Sequence, residues 1–184
     1  VLSSNFKTIC TPGNFNNHIG LPLSLFEIRH DTEFAIIEMG ANNFGEIAFL
    51  TSLCEPDYGY ITNFGKAHLE GFIDIDGVIK AKTELYEWII KNDKTLLING
   101  EDKNQKKFDN HKHIMFGHSE NFHYNFRENN NDCVNVALGD FLFQTKLYGT
   151  YNYSNVCAAI ALGLEFGIDK NQINKSLKSY QPKN

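Results

Sequence analysis

An α/β fold is predicted, with a mostly parallel sheet flanked by helices and a small antiparallel β section near residues 121–148. Three observations lead there. Short apolar runs such as Phe34-Ala35-Ile36-Ile37 and Thr95-Leu96-Leu97-Ile98 have the length and composition of strands buried on both faces. Segments with helical apolar spacing alternate with those runs, as βαβ units do. From residue 121 to residue 149 the helical period gives way to a stretch rich in Phe, Tyr and Val.

Taken in order, residues 7–10 form a short strand. Residues 20–28 carry Leu21, Leu25 and Ile28 at helical spacing. Residues 33–38 form a strand with both faces buried. Residues 45–54 are helical with Ile47, Leu50 and Cys54 on one side, and 58–63 form a second buried strand. Residues 76–91 give the clearest helix, opened by an acidic cap. Strands follow at 95–98 and 113–116, then two or three antiparallel strands. Residues 151–166 return to helix with Gly167 as its stop. Asp169, with Gln172 three residues on, resembles a capping box that opens a last helix. The polar run 128–132 is a turn or loop, and so is Asn99-Gly100-Glu101-Asp102.

At 184 residues, 42% hydrophobic and 21% charged, the chain has the size and composition of a single globular domain. A formal charge of -5 offers no basic face for nucleic acid and no polybasic membrane contact. No apolar stretch is long enough to insert in a membrane. Val1-Leu2-Ser3-Ser4 is no signal peptide. Cys10, Cys54, Cys133 and Cys157 contain no C-x-x-C pair, so free thiols in a reducing cytoplasm are expected.

Three residues draw attention. Glu38 ends one strand, and His68 follows shortly after another. Ligands of open parallel sheets bind beyond the carboxyl ends of strands. A carboxylate and an imidazole on one rim can hold a divalent cation. Each alone reads equally as a solvated loop residue or a helix cap. Lys82 shares a helical face with Val78, Leu85 and Ile89. Burial there lowers the pKa of an amine, and a neutral amine reacts with carbon dioxide to give an anionic carbamate. On pattern alone, the lysine reads as snorkelling to solvent or pairing with Glu84 or Glu38. His111, His113, His118 and His123 lack regular ligand spacing and read as a solvated surface.

Five segments together resemble the Mur ligases, and within them the D-alanyl-D-alanine-adding branch. They are Thr11-Pro12-Gly13-Asn14-Phe15-Asn16-Asn17-His18-Ile19-Gly20-Leu21-Pro22; Glu38-Met39-Gly40-Ala41 with Gly45-Glu46-Ile47; Ile61-Thr62-Asn63-Phe64-Gly65-Lys66-Ala67-His68-Leu69-Glu70-Gly71-Phe72; Ala81-Lys82-Thr83-Glu84-Leu85; and Gly149-Thr150-Tyr151-Asn152-Tyr153-Ser154-Asn155-Val156-Cys157-Ala158-Ala159. They span nearly the whole chain in the family's order.

The resemblance implies the family's P-loop NTPase-like central domain over residues 1–184. It implies ATP and two Mg2+ sites as cofactors. Glu38 is then a ligand of the magnesium beside the ATP phosphates. His68 and Lys82, the latter as its carbamate, are ligands of a second magnesium and the catalytic pair. Asn152 and Asn155 hold the adenine. Thr11, Asn14, Asn16 and Asn17 face the muramoyl-peptide, although Pro-Gly-Asn is also a good turn by itself. The implied reaction phosphorylates the terminal carboxylate of UDP-MurNAc-tripeptide. The amine of D-alanyl-D-alanine then attacks the acyl phosphate, giving an amide, ADP and phosphate. A monomeric, cytoplasmic bacterial enzyme is implied, with neither nucleic acid nor membrane insertion.

The sequence departs from the family in two ways. No G-x-x-x-x-G-K-[ST] loop occurs, and Tyr151 stands where many members have His. The expectation is a central domain without its phosphate loop, N-terminal UDP-binding domain or C-terminal domain, inactive by itself. Two alternatives stand beside the leading reading: a folylpolyglutamate or cyanophycin synthetase type of amide ligase, and a non-catalytic nucleotide-fold binding module.

Overall fold

The structure, a computed structural model, describes residues 1–65, 72, 74–128 and 133–182. The chain divides into two compact units. One comprises residues 6–98 and 107–113, the other residues 1–5, 99–106 and 114–184.

In the first unit, over residues 6–98, the strand pairs are parallel. Strand β1 (Thr8–Cys10) pairs parallel with β2 (Phe34–Ile36), Thr8 opposite Phe34 and Cys10 opposite Ile36. The crossover that a parallel pair requires contains helix α1 (Gly20–Phe26). Helix α2 (Glu46–Cys54) then leads to β3 (Tyr58–Tyr60). Helix α3 (Ile75–Lys91) leads to β4 (Thr95–Asn99), which lies parallel to β3 with Tyr58 opposite Thr95.

Helix α3 begins where the sequence provides a stop in extended backbone. The Asp74 carboxylate accepts the Gly77 amide (2.8 Å), satisfying one of the orphan donors of a helix start. Asp76 in the first turn and Lys91 in the last match the helix dipole. Its inner face buries Val78, Ala81, Tyr86 and Ile89. The Tyr86 hydroxyl donates to the Leu97 carbonyl (2.8 Å), and its ring meets Phe108 edge-on at 5.2 Å. Leu96, Leu97 and Ile98 of β4 are fully buried. Each such side chain contributes about 1.5–3 kcal/mol.

Strand β2 corrects one expectation. Its apolar run reads as buried on both faces, yet Ala35 and Ile36 are exposed and Phe34 only half-buried. Composition reports that a strand can be covered on both sides. It does not supply the covering layers, and among the described residues β2 pairs with β1 alone.

The other unit holds the antiparallel section. Strand β5 (His113–Gly117) pairs parallel with β6 (Tyr124–Glu128). Strands β6, β7 (Asn135–Leu138) and β8 (Phe141–Gln144) then run antiparallel to one another. Short helix α4 (Lys103–Lys106) starts beneath Asp102, whose carboxylate accepts the Asn104 amide (2.8 Å). Helix α5 (Tyr151–Glu165) packs on β6 and β7, and α6 (Lys170–Ser179) on β8. Asp169 caps α6 through the Asn171 amide (2.8 Å), in place of the reciprocal box with Gln172. Residues 129–132 of the expected 128–132 turn lie outside the described residues. All four cysteines are free thiols. Burial pushes Cys157 up to about 12 and Cys54 up to about 11.

Gly77 gives a test of this packing. A Cβ there would lie 2.0 Å from the Phe72 carbonyl oxygen. Alanine gains about 1 kcal/mol of helix propensity over glycine, but a backbone oxygen cannot move aside as a rotamer can. Gly77→Ala is expected to destabilise by about 1–3 kcal/mol, read as a lower urea midpoint at unchanged slope. A midpoint at or above wild type would contradict the close approach.

Candidate functional site

The loop after β1 and the segment after β2 meet through side chains. The Thr11 amide continues the strand pairing onto the Ile36 carbonyl (3.0 Å). Its hydroxyl accepts the Glu38 amide (2.7 Å). The Asn16 side-chain amide donates to Glu38 Oε1 (2.8 Å), and the Asn16 carbonyl accepts the Gly40 amide (2.8 Å). Glu38 is exposed, and its Oε2 takes no hydrogen bond from the described residues. The carboxylate is therefore oriented through one oxygen and open at the other.

Asn17 has a different task. Its Oδ1 accepts the amides of Ile19 (3.0 Å) and Gly20 (2.9 Å), which ties down the start of α1. Asn14 accepts the Asn16 amide through its carbonyl (2.7 Å), while its side chain is exposed. The four residues expected to face a substrate thus divide. Thr11 and Asn16 hold the Glu38 segment, Asn17 shapes the loop, and the Asn14 side chain is exposed.

Lys82 is half-buried on α3, between buried Val78 and Ile89. It neither snorkels freely nor pairs with Glu84 or Glu38. Its Nζ donates to the Asn63 carbonyl (2.7 Å), just beyond β3. Burial lowers its pKa from the ordinary 10.5. A single neutral acceptor offsets only part of the desolvation that an ammonium suffers there. His68 lies outside the described residues, as does the rest of the 66–71 stretch. Among the described residues no three His, Cys, Asp or Glu side chains cluster closely enough to hold a metal. The Glu38 carboxylate suits a hard cation such as magnesium. The Lys82 ammonium is a donor and becomes a ligand only once deprotonated and modified.

Asn152 and Asn155 belong to the other unit, in the first turn of α5. The Asn152 side-chain amide donates to the Tyr148 carbonyl (2.7 Å), leaving its oxygen available, and Asn155 is exposed. Tyr148 and Tyr151 stand 65% and 75% exposed beside them, so two aromatic faces accompany the two amides. Thr150 caps α5 without a side-chain bond. Among the described residues the four histidines join no group of three His, Cys, Asp or Glu that could hold a metal. His123 Nδ1 accepts the Met115 amide (3.0 Å).

One residue went unassigned from sequence. The Glu84 carboxylate accepts the amides of Gly45 (2.7 Å) and Ala48 (3.0 Å) at the start of α2. The signal was present, a carboxylate two positions from Lys82 on a largely apolar helix, but the pattern could not show which helix start it reached.

An α/β domain with parallel strand pairs and polar groups fixed beyond the ends of its strands is a ligand-handling architecture. The chain belongs to the Mur ligase family: the sequence model of the Mur ligase middle domain matches residues 1–163. It is 34% identical over 176 residues to the UDP-N-acetylmuramoyl-tripeptide–D-alanyl-D-alanine ligase of Haemophilus influenzae, covering 91% of this chain and 38% of that protein. With the Bacillus subtilis enzyme of the same name, identity is 31% over 181 residues, covering 96% and 39%. The crystal structure of MurF from Acinetobacter baumannii superposes with a TM-score of 0.86 at 28% identity, over 100% of this chain and 42% of that one. MurF from Thermotoga maritima in complex with ADP gives 0.79 at 25% identity, over 99% and 44%. The chain thus spans about two fifths of the length of these relatives.

Lys82 supports two predictions. With a limiting acylating reagent at mildly alkaline pH, Lys82 is expected to react ahead of Lys94, whose pKa is raised by its hydrogen bond to Asp57. Peptide mapping by mass spectrometry reads the order, and earlier modification of Lys94 would refute it. The second concerns stability. Between the lowered folded value and 10.5 the unfolded chain holds the extra proton, so stability rises with pH across that window. Lys82→Met is expected to remove this rise, measured as the wild-type-minus-variant difference in urea midpoint against pH.

Proposed function

We propose that this domain serves an ATP-dependent ligase that joins D-alanyl-D-alanine to UDP-MurNAc-tripeptide in peptidoglycan synthesis. The observation that carries the reading is the agreement of nearly the whole chain with relatives bearing that activity in their names. The oriented carboxylate of Glu38 gives it chemical content. Within this reading Glu38 contacts magnesium beside the nucleotide phosphates. His68 and Lys82, as a carbamate, face a second magnesium near the substrate carboxylate. Magnesium, when bound, offsets repulsion between phosphate and carboxylate as they approach.

The chain's own residues then act as follows. Thr11 and Asn16 hold Glu38 so that Oε2 faces outward. Lys82, partly desolvated, yields a proton more readily than a surface lysine, which favours its carboxylation. Asn14 offers a side-chain amide to the muramoyl-peptide, with Thr11, Asn16 and Asn17 forming the loop beneath it. Asn152 and Asn155 present amides to an adenine edge, and Tyr148 and Tyr151 offer faces on which a base can stack. The substrate carboxylate attacks the γ-phosphorus of ATP, releasing ADP. The amine of D-alanyl-D-alanine then adds to the acyl carbon, loses a proton, and expels phosphate. A monomer acting in the cytoplasm fits this role. No helix among the described residues is long and apolar enough to cross a membrane.

The test uses the protein at its full length, with its phosphate loop. Amide formation from UDP-MurNAc-tripeptide and D-alanyl-D-alanine is expected, with one ADP and one phosphate per bond. Glu38→Gln and Lys82→Met are each expected to lower kcat by about 100-fold or more. In 13C-bicarbonate a carbamate carbon signal is expected in the wild type and absent in Lys82→Met. Turnover only with folyl or aspartyl-arginyl acceptors would reassign the branch. Absence of turnover with any acceptor would favour a binding module.

A further inference from the structure

We propose that Glu84 is a positioning residue: it ties the start of α2, and with it the segment that follows Glu38, to the helix that carries Lys82. The inference rests on the ligase reading above. Helix α2 is preceded by Gly45 at the N-cap position, whose left-handed backbone (φ 81°) suits glycine and which has no side chain to cap the helix. The first-turn amides need acceptors from elsewhere. Glu84, 39 residues after Gly45, supplies one oxygen to Gly45 N (2.7 Å) and the other to Ala48 N (3.0 Å). A carboxylate suits the positive end of a helix, and such charge-assisted bonds are stronger than neutral ones.

The rest of the segment follows the same helix. Ala41 packs against Phe72, Val78 and Ala81. The Phe44 ring meets Phe72 edge-on at 5.6 Å and lies under the Lys80 ammonium, also at 5.6 Å. Residues 41, 44 and 45 therefore contact α3 between Val78 and Glu84, and Glu84 closes the series. Glu46 does not duplicate the tie. Its carboxylate accepts the Asn42 amide (2.7 Å), the Asn43 amide (3.2 Å) and the Asn43 side chain (2.9 Å), all local to the loop.

Two nearby polar side chains of α3 thus reach two different strand ends. Lys82 holds the segment after β3 through the Asn63 carbonyl, and Glu84 holds the segment after β2 through α2. Loss of Glu84 leaves Glu38 and its bonds to Thr11 and Asn16 in place but releases the start of α2, to which the segment after Glu38 leads.

The test compares the full-length protein with its Glu84→Ala and Asp74→Ala variants. Asp74→Ala removes the α3 cap and leaves the tie to α2 in place, so it controls for lost stability. Glu84→Ala is expected to raise the magnesium concentration for half-maximal rate about tenfold, with the KM for D-alanyl-D-alanine unchanged. Amide hydrogen exchange at Gly45 and Ala48 is expected to quicken in Glu84→Ala and not in Asp74→Ala. If Glu84→Ala lowers only the melting temperature, with magnesium dependence and exchange matching the control, the positioning role is overturned. Should Glu84→Ala fail to fold, Glu84→Gln, which keeps the shape and loses the charge, is read by the same two measurements. A wild-type protein without ligase turnover overturns the functional reading instead, and quickened exchange in the variant still supports the tie.

Discussion

The bond from the Asn16 side chain to the Glu38 carboxylate joins the loop after β1 to the segment after β2, and the geometry of the candidate site depends on it. An exposed glutamate otherwise samples many rotamers, and fixing it costs up to about 1.5–2 kcal/mol. Here one oxygen is already engaged at 2.8 Å, and the backbone on either side is held by Thr11 and by the Asn16 carbonyl. Much of that ordering is therefore done before a ligand arrives. The parallel pairing of β1 and β2 makes it possible, because both chains leave the sheet at the same end.

Lys82 shows the opposite balance. Its helix face is suited to the core, and burial disfavours its charged form. The carbonyl of Asn63 gives the ammonium one partner, whereas the surface pairs Lys7–Asp31 and Lys94–Asp57 match charge with charge at 2.6 Å. Exposed pairs of that kind are largely screened by solvent. An amine placed against a neutral acceptor in an apolar stripe loses stability and gains reactivity.

Much of the fold was legible because it is written in local periodicity. The 3.6-residue spacing around Val78, Lys82, Leu85 and Ile89 places α3 to within a residue of its observed start. The buried runs of β4 and β5 were equally plain. The exposure of β2 was not, since an apolar run does not reveal how many layers surround it. The candidate site could be proposed from sequence as a set of residues and not as a set of bonds. Glu38, Lys82 and the Thr11–Asn17 loop could be named from the motifs. That Asn16 bonds to Glu38, or that Glu84 reaches Gly45, depends on which strand ends lie side by side. Spacing along a chain contains no such information.

Hydrogen-bond accounting separates three carboxylates that composition treats alike. Glu46 has both oxygens engaged by three donors of the adjoining loop, and its pKa is lowered, first by the Asn43 side chain. Glu84 has each oxygen on an α2 amide. Glu38 alone of the three keeps an oxygen without a donor among the described residues. Each oxygen of Glu46 and Glu84 already accepts at least one hydrogen bond, whereas the second oxygen of Glu38 accepts none among the described residues. Glu46 and Glu84 thus hold the entry to α2, and Glu38, beyond β2, keeps a whole oxygen of acceptor capacity among the described residues.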